Sequence, residues 1–333
     1  MKTDARPRSR SNNMIIFFHK QWFFVGIALM VALAVFFPNL GPLIKKYKIL
    51  NIGIFIAFLI TGLSLDTRTI IEQFQNLRVL VASLVSSLVL IPVITFFLAN
   101  LAFSGSPDLV IGSVIIAVAP VTVASGTVMT AVALGNVPLS LFICMISNFV
   151  ALLTIPFLLK ILLQFGQTID LPVYSILSSL ILTVLTPTVL GQLLRPRLKD
   201  AIFPYTKTFS VFSQCVVLLI IFNAVSASIS EIFRSGLIIV SVFGFMIGLR
   251  VLILIMNYTI SRLIGLDQAS TSAFTIHTSQ KTLTVSYLVW AGYFAIDFPM
   301  GMIPPIAFHL TQMFMDTMLA HHFRKKALEK NPV

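Results

Sequence analysis

Acidic side chains are scarce in this chain: Asp and Glu together number 11 among 333 residues, against 23 Lys and Arg. The sequence offers no acid cluster, no paired-metal motif and no nucleophile beside a base, which removes the ordinary ingredients of an intramembrane enzyme. Cysteine is scarcer still. Cys144 and Cys215 both fall within apolar runs, where small packing residues are expected rather than a disulfide. Charged residues make up only 10% of the chain and hydrophobic ones 57%, whereas an ordinary soluble domain carries about 25% charged residues. That excludes a soluble protein. The longest polar connector, Arg195 to Lys207, is too short to hold a domain, so function must come from membrane-embedded segments.

What is present is a series of ten apolar runs, each long enough for a helical span. They cover Trp22 to Phe37, Ile49 to Ser64, Val79 to Leu101, Leu109 to Leu134, Val137 to Leu159, Tyr174 to Leu194, Phe209 to Ser228, Leu237 to Tyr258, Asp267 to Ala295 and Gly301 to Ala320. Continuous runs of this length are helical, unlike the alternating short strands of an outer-membrane barrel. The net charge of +12 does not point to nucleic acid, because the basic residues sit in loops and tails. Most of them, including Lys2, Arg6, Arg8, Arg68, Arg78, Arg195 and Arg324, fall on the side shared by the two termini. Both ends are therefore expected in the cytoplasm, with Lys45, Lys46 and Lys48 the main exception. Ala32-Leu33-Ala34 imitates a signal-cleavage site, but continued apolarity and nine further spans favour an uncleaved first helix. Trp22 and Trp290 read as aromatic anchors near opposite interfaces, and the 29 Phe and 12 Met as lipid-facing and packing surface.

The expected fold is an all-α polytopic bundle arranged as a 5+5 repeat. A basic tail (1–21) precedes the first five spans (22–163), and the linker Gln164 to Pro172 leads to the second five (173–320) and a basic tail (321–333). Five is odd, so the second set enters the membrane from the opposite side and the repeat is inverted. The fourth and ninth spans carry matching polar interruptions, Ala119 to Thr127 and Thr275 to Thr282. Lipid supplies no hydrogen-bond partner for broken helix, so such segments survive only inside protein or along a cavity. Pro120 and Gly126 place helix ends near Thr122 to Thr127, where freed amides would favour an anion and freed carbonyls a cation.

Lys281 is the costliest residue, about 3 kcal/mol on insertion scales if charged at the bilayer centre. No span supplies an obvious deep acid: Asp66, Asp267 and Asp297 lie at span ends and Asp316 near the cytoplasmic tail. Its expected partners are carbonyls at broken helix ends, together with an anionic substrate. His277, four residues earlier, has an ordinary pKa near 6.5 and is either a proton carrier or a neutral donor to a helical carbonyl. Thr278, Ser279, Gln280 and Thr282 supply neutral oxygens suited to a hard cation or the polar part of a substrate. Ser140, Cys144, Asn148 and Ala151 share one face of the fifth span, which either looks toward the break or serves small-residue packing. Arg250 is a pore residue or a consequence of where the eighth span is placed.

The segments Ala119-Pro120, Ala124-Ser125-Gly126-Thr127-Val128-Met129-Thr130 and Gly135-Asn136-Val137-Pro138-Leu139-Ser140 resemble the crossover region of the bile acid:sodium symporter superfamily. Pro187 to Pro196 is similar to that superfamily's sixth span. Ser279-Gln280-Lys281-Thr282-Leu283, with Trp290-Ala291-Gly292-Tyr293, resembles its member-seven-like branch, which includes bacterial proteins. The resemblance implies ten helices in an inverted repeat with the fourth and ninth broken and crossing. It also implies a core of spans three to five and eight to ten against a panel of spans one, two, six and seven. In studied relatives two sodium ions sit behind the crossing, and Ser125, Thr127, Ser140 and Gln280 would mark a residual sodium site here. The Asn position reads Gly126 or Thr127, the fifth-span Thr reads Cys144, and the Glu region reads Ile276-His277. The expectation is a secondary transporter of a small organic anion in the bacterial inner membrane, needing no cofactor beyond sodium or a proton as coupling ion. Alternatives are a non-transporting regulator of ion homeostasis and a conventional sodium symporter. The expected binding residues are Thr122, Ser125, Gly126, Thr127, Ser140, Cys144, Asn148, His277, Thr278, Ser279, Gln280, Lys281 and Thr282. Lys281 is expected to stand in the place of a coupling cation; oligomeric state is not legible.

Overall fold

Apolar runs punctuated by proline and glycine give helices that start and stop where backbone chemistry requires. The computed structural model describes residues 10–64, 77–122, 124–166, 171–234 and 236–330. Lys2, Arg6, Arg8, Arg68, the middle of the linker Gln164 to Pro172, and Val123 lie outside the described residues. Among the described residues the chain is helical, with no strand. In chain order the helices are α1 Arg10–Phe36, α2 Leu40–Lys46, α3 Ile49–Ser64, α4 Leu77–Ala102, α5 Pro107–Val118, α6 Ala124–Val132 and α7 Val137–Gly166. They continue with α8 Val173–Leu198, α9 Thr206–Ala227, α10 Ile229–Arg234, α11 Gly236–Leu263, α12 Gln268–Thr278, α13 Leu283–Tyr293 and α14 Ile303–Lys330. Five of these (α4, α7, α8, α9 and α11) are long and apolar enough to cross a membrane, and six if α1 and α2, bent by 103°, form one span.

Local chemistry explains the ends. Pro107 opens α5, and α5 stops at Val118 because Pro120 drives the residue before it, Ala119, into extended backbone (φ −61°, ψ 150°). Asp267 caps α12 by accepting from the Ser270 N–H at 2.8 Å. Within α4 the residues Ser86–Leu90 form a π turn. There the Ile91 N–H bonds to the Ser86 carbonyl, and Pro92 has no N–H to give, so the Ser87 carbonyl has no helical partner.

Several boundaries differ from the sequence expectation. The first break includes 119–122 and α6 starts at Ala124, so Ser125, Gly126 and Thr127 already belong to α6; proline ends a helix ahead of itself, and Gly126 serves close packing instead. The second break is confined to Ser279–Thr282, because Thr275 to Thr278 remain helical. The stretch after the first run folds into α2 rather than a plain loop, α7 continues beyond Leu159 to Gly166, and the connector Arg195 to Lys207 is helical for most of its length. Trp290 is not an interfacial anchor: it is 1% exposed, and its indole N–H donates to the Phe298 carbonyl at 2.9 Å.

The helices α1, α3, α8 and α9 pack on one another, and α4, α5, α7, α11, α12 and α14 form a second packed set. Glycine sets the closest approach in the first. A Cβ on Gly62 would run into the Thr188 carbonyl and one on Gly191 into the Leu59 carbonyl, so α3 and α8 touch backbone to backbone. Both helix breaks are bonded into the second set, with Thr122 and Thr282 at its face toward the first.

Candidate functional site

The two breaks meet directly, through the Thr282 N–H donating to the Pro120 carbonyl at 2.9 Å. A broken segment exposes carbonyls that a helix would have satisfied internally. Here each of the four consecutive carbonyls has a donor from elsewhere in the protein. Ala119 O accepts from Lys281 Nζ at 2.9 Å, and Pro120 O from the Thr282 amide. Val121 O accepts from Asn148 Nδ2 at 3.1 Å, and Thr122 O from His277 Nε2 at 2.8 Å. A carbonyl only accepts, so His277 carries its hydrogen on Nε2 and its Nδ1 faces Ser140 Oγ.

Lys281 is fully buried, and its ammonium is held entirely by neutral oxygens. Besides Ala119 O these are Ser87 O at 2.6 Å and Ser87 Oγ at 3.2 Å. Three N–H groups meet three acceptors, two of them carbonyls released by backbone defects in α4 and at the end of α5. The residue's own backbone is clamped by Gln312: the Lys281 N–H donates to Oε1 at 2.9 Å and the Lys281 carbonyl accepts from Nε2 at 3.0 Å. The clamp fixes which way the Gln312 amide points, so Nε2 also donates to His309 Nδ1 at 3.1 Å.

Asp316 is the deep acid that sequence reading placed near the tail. Because α14 continues to Lys330, Asp316 lies well inside the helix and is fully buried. Its carboxylate accepts from Arg250, also fully buried, and from Gln280 Nε2 at 2.6 Å. Arg250 further donates to the Ser279 carbonyl in the second break and stacks over the Phe308 ring at 5.6 Å. Its burial is thus real, and its role is pairing inside protein. Asn257 ties the same break to α4, donating to Ser279 Oγ at 2.7 Å and accepting from Ser86 Oγ at 2.5 Å.

His277 fills the space beside α6. An added Cβ at Gly126 would lie 2.7 Å from Nε2, so the glycine is required by the imidazole. Thr130 donates to the Gly126 carbonyl at 2.8 Å and lies 3.1 Å from Ser140 Oγ, completing the ring's surroundings.

A cavity of about 250 Å³ opens between the two helix sets. Phe58, Thr61, Ser213 and Gln214 line it from one side; Thr122, Ser125, Thr282 and His309 line it from the other. Its wall is apolar with hydroxyls, amides and the His309 imidazole. Lys281 is not part of that wall; it stands one residue behind Thr282.

Of the residues expected to act together, Thr122, Ser125 and Gln280 share one hydrogen-bonded corner, and Thr282 lines the cavity beside them. Cys144 Sγ lies 3.8 Å from the Thr122 carbonyl. Ser140 sits on His277 and Thr130 rather than on Gln280, so Ser125, Ser140 and Gln280 are not joined as one ligand set. Thr127 lies in the first turns of α6. Thr278 Oγ1 is buried without a hydrogen-bond partner, and Ser279 Oγ bonds back to Thr275 O at 2.6 Å. Sequence reading did not single out Ser87, Asn257, His309 or Gln312. The spacing of His309, Gln312 and Asp316, three and seven residues on, would have exposed a polar face on α14. The Ser86-Ser87 pair ahead of Pro92 would have exposed the free carbonyl.

A membrane bundle with two touching breaks and a cavity between helix sets is the architecture of a carrier rather than an enzyme, and the family comparison agrees. The chain belongs to the SBF-like CPA transporter family, whose model matches residues 21–325. It is similar to sodium/bile acid cotransporter 7 of Xenopus tropicalis, 28% identical over 314 residues covering 90% of each chain. Sodium/bile acid cotransporter 7 of Mus musculus is 26% identical, over 90% of this chain and 91% of the relative. The probable sodium/metabolite cotransporter BASS4, chloroplastic, of Oryza sativa subsp. indica is 27% identical, over 91% of this chain and 76% of the relative.

Proposed function

We propose that this protein is a secondary transporter of a small organic anion, in which built-in donors occupy the places that coupling cations would fill. The transport cycle is alternating access across a ten-span 5+5 inverted repeat. A panel of α1, α3, α8 and α9 (spans one, two, six and seven) works against a core of α4 to α7 and α11 to α14. The observation that carries this reading is the occupancy of the first break. All four carbonyls from Ala119 to Thr122 already accept from Lys281, Thr282, Asn148 and His277. A hard monovalent cation binds through such oxygens. With these engaged, and with an ammonium already seated among Ser87 O, Ser87 Oγ and Ala119 O, a sodium ion would have to displace the protein's own donors.

The cavity supplies the substrate space. In its half of the bundle the sets stand apart around Thr61, Ser213 and Met313, while in the other half they are bonded through Tyr287 and Asn223, the latter held by the Gly41 carbonyl of α2. With both termini cytoplasmic, this is an inward-facing state. With Lys281 protonated, Lys281 and Arg250 against Asp316 leave an excess of one positive charge behind the wall, which favours an anion in the cavity.

Sodium coupling is the second reading, favoured by the names of the relatives, which are sodium cotransporters. Counterflow and uptake of candidate anions in proteoliposomes separate the two. Uptake that proceeds equally with sodium, potassium or choline outside supports the tethered-donor reading; uptake that requires a sodium gradient and survives Lys281→Ala defeats it. No exchange of any organic anion would defeat transport of that class altogether.

A further inference from the structure

We infer that Asp316, which touches no ligand, decides which kind of substrate group one corner of the cavity accepts: it orients the Thr122 and Ser125 hydroxyls through Gln280 so that this corner of the wall presents acceptors only. The inference rests on the reading of the cavity as a substrate site and adds to it a substrate class, an anion that also carries a hydroxyl or ammonium donor.

The hydrogens at this corner are few enough to count. The Asp316 carboxylate can only accept, so it takes the Gln280 amide by its nitrogen, Nε2 to Oδ2 at 2.6 Å. Gln280 Oε1 is thereby turned toward the first break. There it faces Thr122 Oγ1 and, at 3.1 Å, Ser125 Oγ; the two hydroxyl oxygens are 2.6 Å apart. Each hydroxyl owns one hydrogen. Thr122 gives its hydrogen to Oε1, and Ser125 gives its own to Oε1 or to Thr122, so neither has one left for the cavity that both residues line. What faces a ligand there is a pair of oxygen lone pairs. The Thr122 backbone carbonyl does not change this, being engaged by His277. A carboxylate or ether oxygen placed in that corner would meet acceptors and leave both sides unsatisfied, whereas a hydroxyl or ammonium group completes them.

The determinant can be inverted without touching the wall. In Asp316→Asn, Arg250 can only donate, so it takes the new side-chain oxygen, and the new NH₂ faces Gln280. Gln280 must then turn over, present Nε2 to Thr122 and Ser125, and release their hydrogens into the cavity. Gln280→Met frees the same hydrogens while leaving the Arg250–Asp316 pair intact, which guards against a folding defect in the first variant.

The test is ligand-induced thermal stabilisation of the purified full-length protein with matched probes. These are lactate with propionate, 3-hydroxybutyrate with butyrate, mandelate with phenylacetate, and phenylalanine with 3-phenylpropionate. The expected result is that the donor-bearing member of at least one pair binds about tenfold more tightly to wild type. That preference should shrink to within about twofold in Gln280→Met and reverse in Asp316→Asn, with binding of the donor-free twin retained. Equal binding of twins to wild type, or a preference unchanged in both variants, overturns the inference while leaving the substrate site standing. Silence of every probe on wild type counts against the small-anion reading itself and takes this inference with it.

Discussion

On the proposed reading, replacing Lys281 by Ala should give a protein that sodium stabilises, whereas wild type should gain nothing from it. The substitution removes an ammonium that satisfies Ser87 O, Ser87 Oγ and Ala119 O and leaves an oxygen-lined space where it stood. Two buried carbonyls lose their only identified donor, at about 1–3 kcal/mol each, so the cost is about 2–6 kcal/mol before any relaxation. A hard cation can restore much of it. Sodium at about 100 times its dissociation constant contributes about 2.7 kcal/mol of stability by mass action. The assay is thermal unfolding in sodium chloride against choline chloride at matched ionic strength, for wild type, Lys281→Ala and Lys281→Met. Methionine removes the charge but keeps most of the volume, so it should be destabilised without sodium rescue. An equal gain from sodium in wild type and Lys281→Ala, or no gain in Lys281→Ala, would exclude an ammonium seated in a cation's place.

Three further outcomes follow from the geometry. Gly126→Ala drives a Cβ to 2.7 Å from the His277 ring and should cost about 1–3 kcal/mol in denaturant or thermal melts, a loss that Gly126→Ala/His277→Ala partly recovers in a double-mutant cycle. Arg250→Met and Asp316→Leu should each destabilise by about 3–5 kcal/mol, since each leaves a buried charge unpaired, while the double variant should recover only part of the summed loss, because the Ser279 carbonyl and the Gln280 amide also lose their partners. Tyr287→Phe deletes the 2.9 Å bond to Asn223 that joins α13 to α9; losing about 1 kcal/mol from the closed end should raise the opposite-facing population about fivefold, read as growth of the longer-distance population between spin labels placed on α9 and α13.

The sequence disclosed the existence of the breaks better than their content. Pro120 and the polar run through Lys281 can be seen in one dimension because lipid tolerates neither without a reason. Membership of the transporter family was likewise carried by short motifs such as Ser279 to Leu283. The partners were not legible, since they come from far along the chain: Ser87 is 194 positions from Lys281. Asp316 was misjudged because span length was read from apolarity, and α14 continues as helix through a polar, basic end. Gly126 was read as a backbone loosener when its role is to leave room for an imidazole, a requirement visible only once α6 and α12 are side by side. Trp290 shows the same limit, since a tryptophan near a run's end is an anchor only if lipid reaches it, and here protein does.

In the proposed transporter the protein's own ammonium and N–H groups hold the oxygens that a coupling ion would need. Equilibrium binding of radiolabelled sodium to the purified protein measures this directly. Wild type should bind no sodium in the millimolar range and Lys281→Ala should bind one ion per chain; one or two ions bound by wild type would contradict the claim.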